Sequence, residues 1–127
     1  MFSLRVMIMK RLVVLAITLM IAACSSTPVP TSMMDKDWKD FGYERALKGL
    51  VIQSESILVK KLDGETLKDT NYQSYLAGYK EGQAEYCQKD AYILGVKGES
   101  YNGICDVIDW TFREDYSSGR HSTAGGM

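Results

Sequence analysis

"YLAGYKEGQAEYC", residues 75–87, constrains the fold more than any other stretch of the chain. It sets Tyr75 three residues before Gly78 and Tyr79 three before Gly82, then closes on Tyr86 and Cys87. A glycine costs a helix about 0.5–1 kcal/mol relative to alanine, so something outside the helix must offset two of them. Residues three apart share a helix face, and each tyrosine therefore stands above a gap left by its glycine. A second helix can enter that gap. Lys80, Glu81 and Glu85 flank the pair and forbid a lipid environment, which separates it from the small-residue motif of membrane helix dimers. The spacing predicts a close helix crossing, with tyrosine rings packed around it and their hydroxyls reaching water. The same Tyr-x-x-Gly unit recurs at 92–95 and 116–119.

The rest of the body also reads as helical, since no window alternates with period two. Asp35 or Asp37 opens a first helix, carboxylates being favourable at a helix N-terminus. Trp38, Phe41 and Arg45 continue it, and Leu47, Leu50, Val51, Ser54, Leu58 and Leu62 extend an apolar stripe that Gly49 can divide in two. Asp63-Gly64 signals a turn. Asn71 is placed to cap a second helix whose face carries Tyr72, Tyr75, Leu76, Tyr79, Tyr86 and Cys87. Glycine-rich residues 95–103 read as irregular. Asp106 opens a last helix through Trp110, Phe112 and Tyr116 to Gly119. The expected fold is mainly α: a small helical hairpin plus a third helix over residues 35–120, with a disordered tail over 121–127.

The first two dozen residues differ from the rest. Arg5, Lys10 and Arg11 precede "LVVLAITLMI" (12–21), and Ala22-Ala23 lead into Cys24. A basic start, a short apolar run and small residues at a cut site define a secretory signal. These ten residues, of which only Thr18 is polar, would span only about 15 Å as a helix, half of a bilayer core. "IAAC" resembles the lipobox of bacterial lipoproteins, in which the cysteine is diacylated, the signal is cut before it, and the new amino group is acylated. Residues 1–23 are thus expected to be a signal peptide, starting at Met1 or Met9. Cys24 is expected to be the lipidated N-terminus, carrying covalent lipid such as palmitate. Ser25 in place of aspartate implies the outer membrane under the enterobacterial sorting pattern, on its periplasmic face. Residues 24–34, with Pro28 and Pro30, read as a flexible tether able to hold the body about 30 Å from the membrane.

Cleavage removes three of the fifteen basic residues and none of the sixteen acidic ones, leaving a net charge of −4. That balance argues against a nucleic-acid partner. Cys87 and Cys105 remain, and two cysteines in an oxidising compartment read most simply as a disulfide. A redox pair would call for the closer Cys-x-x-Cys spacing.

Three blocks, "YLAGYKEGQAEYC", "GVKGESYNGIC" and "FREDYSSG", together resemble a family of small proteobacterial lipoproteins known only as a domain of unknown function. The matching positions are Tyr75, Gly78, Gly82, Tyr86, Cys87, Gly95, Gly98, Tyr101, Cys105, Phe112, Tyr116, Gly119 and Arg120. The resemblance spans about residues 38–120. It departs at Arg45-Ala46, where the family pattern has Asp-Gly, and this places the local backbone there in question. The resemblance implies no activity.

Catalytic equipment is sparse. The single histidine, His121, falls in the expected tail, where it could not be held against a nucleophile. Asp35, Asp37 and Asp40 cluster, as do Asp106 and Asp109, but both groups lie at expected helix starts, where the macrodipole accounts for them without a metal. No phosphate-binding glycine loop occurs. The chain therefore reads as a non-enzymatic envelope lipoprotein without cofactors: an accessory or protein-interaction module with an envelope protein as partner. The alternative is a periplasmic glycan- or peptidoglycan-binding module using tyrosine and tryptophan faces. The residues singled out as a packing or interaction face are Tyr75, Gly78, Tyr79, Gly82, Tyr86, Tyr101, Tyr116 and Gly119.

Overall fold

The computed structural model describes residues 2–19 and 28–124. Cys24, the rest of the expected cut site and residues 125–127 lie outside them. Six helices occur among the described residues, and no strand: α1 (Phe2–Leu19), α2 (Asp35–Leu47), α3 (Glu55–Lys61), α4 (Asp69–Tyr86), α5 (Ala91–Val96) and α6 (Phe112–Ala124). None is long and apolar enough to cross a membrane. The body is mainly α and is closed by a Cys87–Cys105 disulfide, as expected.

The glycines do what their spacing predicts. A Cβ added to Gly78 would overlap the Lys39 backbone carbonyl, and one added to Gly42 would overlap that of Tyr75. Each glycine thus faces the carbonyl three residues before its partner glycine. Gly82 extends the seam, with the Tyr43 carbonyl and Ala46 Cβ against it. Contacts climb together along the two helices: Asp35 meets Asn71, Lys39 pairs with Glu81, and Tyr43 donates to Glu85. The helices α2 and α4 therefore run in the same direction, and α3 belongs to the returning limb between them.

The same arrangement occurs a second time. Gly95 of α5 lies against the Tyr116 carbonyl of α6, and Gly119 against the Tyr92 carbonyl. Lys39-x-x-Gly42 with Tyr75-x-x-Gly78, and Tyr92-x-x-Gly95 with Tyr116-x-x-Gly119, are two copies of one reciprocal crossing. Each approach is close enough for Cα–H groups to meet carbonyl oxygens. The first helix of each pair also ends alike, on a glycine at positive φ. Gly49 (φ 68°) and Gly98 (φ 72°) follow the last turns. The bonds Leu50 N to Arg45 O and Glu99 N to Leu94 O close both ends in Schellman fashion.

Two small cores result, joined by α4. The first gathers Trp38, Phe41, Leu58, Leu62, Leu67 and Tyr75. The second gathers Tyr86, Ala91, Leu94, Ile104, Cys105 and Phe112.

Several local expectations are corrected. Residues 91–96, at the edge of the segment read as irregular, form α5, capped by Asp90 accepting from Ile93 N at 3.0 Å. The last helix starts at Phe112 rather than Asp106, because Asp106 turns to Arg113 and Tyr101 instead. It continues through Ala124, past Gly119, because Gly119 is a packing residue against α5 and not a stop; His121, in the expected tail, is helical. Asn71 is no cap: it lies in the first turn of α4, fully buried, and donates to the Met33 carbonyl and to Asp35. Finally, Val29 and Met33 pack on the first core, so most of the described part of the expected tether is docked.

Candidate interaction surface

The tyrosines set the second layer of the design. Tyr75, Tyr79 and Tyr86 are buried, in line with the shared helix face expected of them. The hydroxyls of Tyr75 and Tyr79 are taken up by backbone groups, where water was expected. Tyr75 Oη accepts from Gln53 N at 2.9 Å, and Tyr79 Oη donates to the Leu50 carbonyl at 2.9 Å. Tyr116 Oη donates to the Glu99 carbonyl at 2.6 Å. A buried hydroxyl needs a partner, and irregular backbone supplies unpaired groups. Each ring fills a core while its tip pins a loop. Burial disfavours the phenolate and so raises the pKa of Tyr75, Tyr79 and Tyr86 above the ordinary phenol value.

Tyr101 serves the loop that follows the second core. Its hydroxyl donates to Asp106 Oδ1 at 2.6 Å and accepts from Cys105 N at 3.1 Å. Arg113 grips Asp106 Oδ2 through Nε at 2.9 Å and Nη2 at 2.5 Å, with its guanidinium 5.5 Å from the Tyr101 ring. Burial, then the bond to Asp106, pushes Tyr101 upward. Hydrogen bonds from Tyr101 and Arg113 hold Asp106 below the usual carboxylate range. With the adjacent disulfide (Cα–Cα 5.5 Å), this latch fixes residues 101–109 against α4 and α6.

What the latch presents is apolar. Val107 is 86% exposed, Trp110 75% and Ile108 55%. Across from them Val51 and Ile52 are also exposed, on the loop that Tyr75 and Tyr79 pin. Between the two loops runs a groove of about 500 Å³, floored by Leu76 and Tyr79 and walled by Val51, Ile52, Ile104 and Val107. Lys80, Gln83 and Asn102 supply its polar edge. Gln83 Nε2 donates to the Ile104 carbonyl at 2.6 Å, and Asn102 Nδ2 to the Gly49 carbonyl at 2.8 Å. The groove is therefore braced from both sides before any ligand arrives.

The residues singled out from sequence thus separate. Gly78, Gly82 and Gly119 are crossing residues, and Tyr75, Tyr86, Tyr101 and Tyr116 are core and latch. Of that set only Tyr79 touches the groove. Val51, Ile52, Val107, Ile108 and Trp110 were missed as a surface. Their one signal was an apolar pair beside a helix stop and an apolar run after a cysteine. No cluster of three His, Cys, Asp or Glu side chains suited to a metal occurs among the described residues.

A family model described as "Protein of unknown function (DUF2799)" matches residues 37–121, from the first turns of α2 into α6. The chain belongs to this family. Both reciprocal crossings, the disulfide and the latch fall inside the matched span. The chain is also similar to "Uncharacterized protein YfiL" of Escherichia coli (strain K12), 30% identical over 105 residues that cover 80% of each chain. No solved structure matches it. At the Arg45-Ala46 departure the helix is unbroken: Ala46 is fully buried against Gly82, and Arg45 Nε donates to the Val51 carbonyl at 2.7 Å.

Proposed function

We propose that this chain is a lipid-anchored accessory protein of the cell envelope, held at the periplasmic face of the outer membrane through Cys24. In this reading its groove docks an apolar segment of a partner envelope protein. The lipobox-like "IAAC" supports the anchor. The observation that carries the interaction role is the set of exposed apolar side chains, Val51, Ile52, Val107, Ile108 and Trp110, held on two braced loops. An apolar patch kept rigid in water is a mark of an interaction site, and aromatic anchors such as Trp110 commonly dominate such interfaces. Lys80 at the groove edge suits an acidic neighbour on the partner. No step of the proposal requires a cofactor or catalysis.

In-cell photo-crosslinking from position 107, followed by mass spectrometry, tests it. One envelope protein captured reproducibly, and lost with Trp110→Ser, is the expected result. Capture of murein fragments alone would overturn it in favour of the glycan-binding reading, for which Trp110 and Tyr92 are the exposed rings.

A further inference from the structure

The chain that follows Cys24 joins the body earlier than the expected tether over 24–34 implies. Val29 and Met33 pack on the first core. The Trp38 indole N–H donates to the Ser32 carbonyl at 3.0 Å, and Asn71 Nδ2 to the Met33 carbonyl at 3.0 Å. Trp38 and Asn71 are both fully buried, so these two part-buried bonds tie the segment to fixed groups of the body. Pro30 and Thr31 share a cleft with Lys61, Leu62, Asp63 and Glu65 at and just past the end of α3.

Five peptide steps separate Cys24 from Val29, at most about 18 Å fully extended. A headgroup layer is itself about 5–7 Å deep. Resting on the lipoprotein reading above, we propose that the pole of the body carrying the docked segment and the end of α3 sits against the phospholipid headgroups. Lys60 and Lys61 meet their phosphates there. Both lysines are exposed, and Lys61 lines the cleft that also holds Val29, where the leash ends. Attraction of cations to an anionic surface falls off within a Debye length, and so short a leash keeps them inside it. Asn71, in the first turn of α4, lies beside this pole, and the disulfide at the other end of the helix is about 24 Å farther along. The latch loop with Val107 and Trp110 is thereby carried away from the membrane, where a partner can reach it.

The test places a benzophenone amino acid at position 61 or at position 110 of the full chain, illuminates cells and analyses the adducts by mass spectrometry. Phospholipid adducts severalfold more abundant from position 61 than from position 110 are expected. Equal yields, reversed yields or no lipid adduct at position 61 would overturn the proposal. A flexible Gly-Ser insert between Thr27 and Pro28 should cut the yield at position 61 severalfold while the protein stays in the membrane fraction; an undiminished yield also counts against it. The intact mass of the same preparations separates the two readings. An unacylated Cys24 removes the anchor and this proposal together, whereas an acylated chain lacking lipid adducts at position 61 removes this proposal alone.

Discussion

Substituting Gly78 by alanine should destabilise the fold although alanine is the better helix former. Propensity alone favours the variant by up to about 1 kcal/mol. Against that, the new methyl overlaps the Lys39 carbonyl, and backbone cannot swing aside as a flexible side chain can. The two helices must separate. Overpacking of this kind costs about 1–3 kcal/mol, occasionally more. Separation also loosens Trp38, Phe41 and Tyr75, whose rings meet across the seam with Phe41 and Tyr75 centroids 5.7 Å apart. A gap of about 0.5–1 Å forfeits a quarter to a half of each contact's attraction. A net loss of about 2 kcal/mol follows after the propensity gain is subtracted. In urea unfolding followed by far-UV circular dichroism, with the disulfide intact, the midpoint should fall by roughly 1 M. Ala77 is exposed one position away, and Ala77→Gly should cost about 1 kcal/mol from propensity alone. Opposite substitutions at adjacent positions would then both destabilise. A Gly78→Ala midpoint equal to or above that of the parent chain would refute the crossing argument.

Three further outcomes can be measured. Replacing Cys87 and Cys105 by serine should cost about 3 kcal/mol, the loop-closure estimate for this separation, read as a lower urea midpoint that reductant no longer changes. For Trp110→Ser the same midpoint should stay within about 0.5 kcal/mol of the parent, since the ring is exposed, while the crosslinked partner is lost; unfolding of this variant would remove the distinction between surface and core. The pH dependence should fall at both ends. Asp106 is depressed in the folded state, so its contribution is complete above the unfolded carboxylate value near ~4 and disappears as acid reaches its lower folded value. Tyr75, Tyr79, Tyr86 and Tyr101 are raised, so their contribution is complete below ~10 and is lost as alkali drives them to ionise. Tyrosinate absorbance appearing in one cooperative step with unfolding would confirm this, and independent titration below the unfolding transition would contradict it.

The chain's own order determined a great deal. Helical periods, Gly49 as a break, the crossing glycines of α4 and the pairing of Cys87 with Cys105 were all legible, because each is encoded within a few turns of one helix or by elimination among few residues. The identity of what enters each gap was not. Lys39 and Gly42 carry no local mark that they face Tyr75 and Gly78, and the parallel sense of α2 and α4 depends on how α3 returns. Capping chemistry at Asp90 was readable and would have exposed α5. The role of Asn71 was not, since its amide nitrogen donates to residues nearly forty positions away. The groove shows the same division: its walls come from residues 51–52 and 102–107, brought together only once tyrosine hydroxyls and the disulfide latch have placed both loops. Periodicity specifies which face of a helix is buried; only packing in three dimensions decides against what.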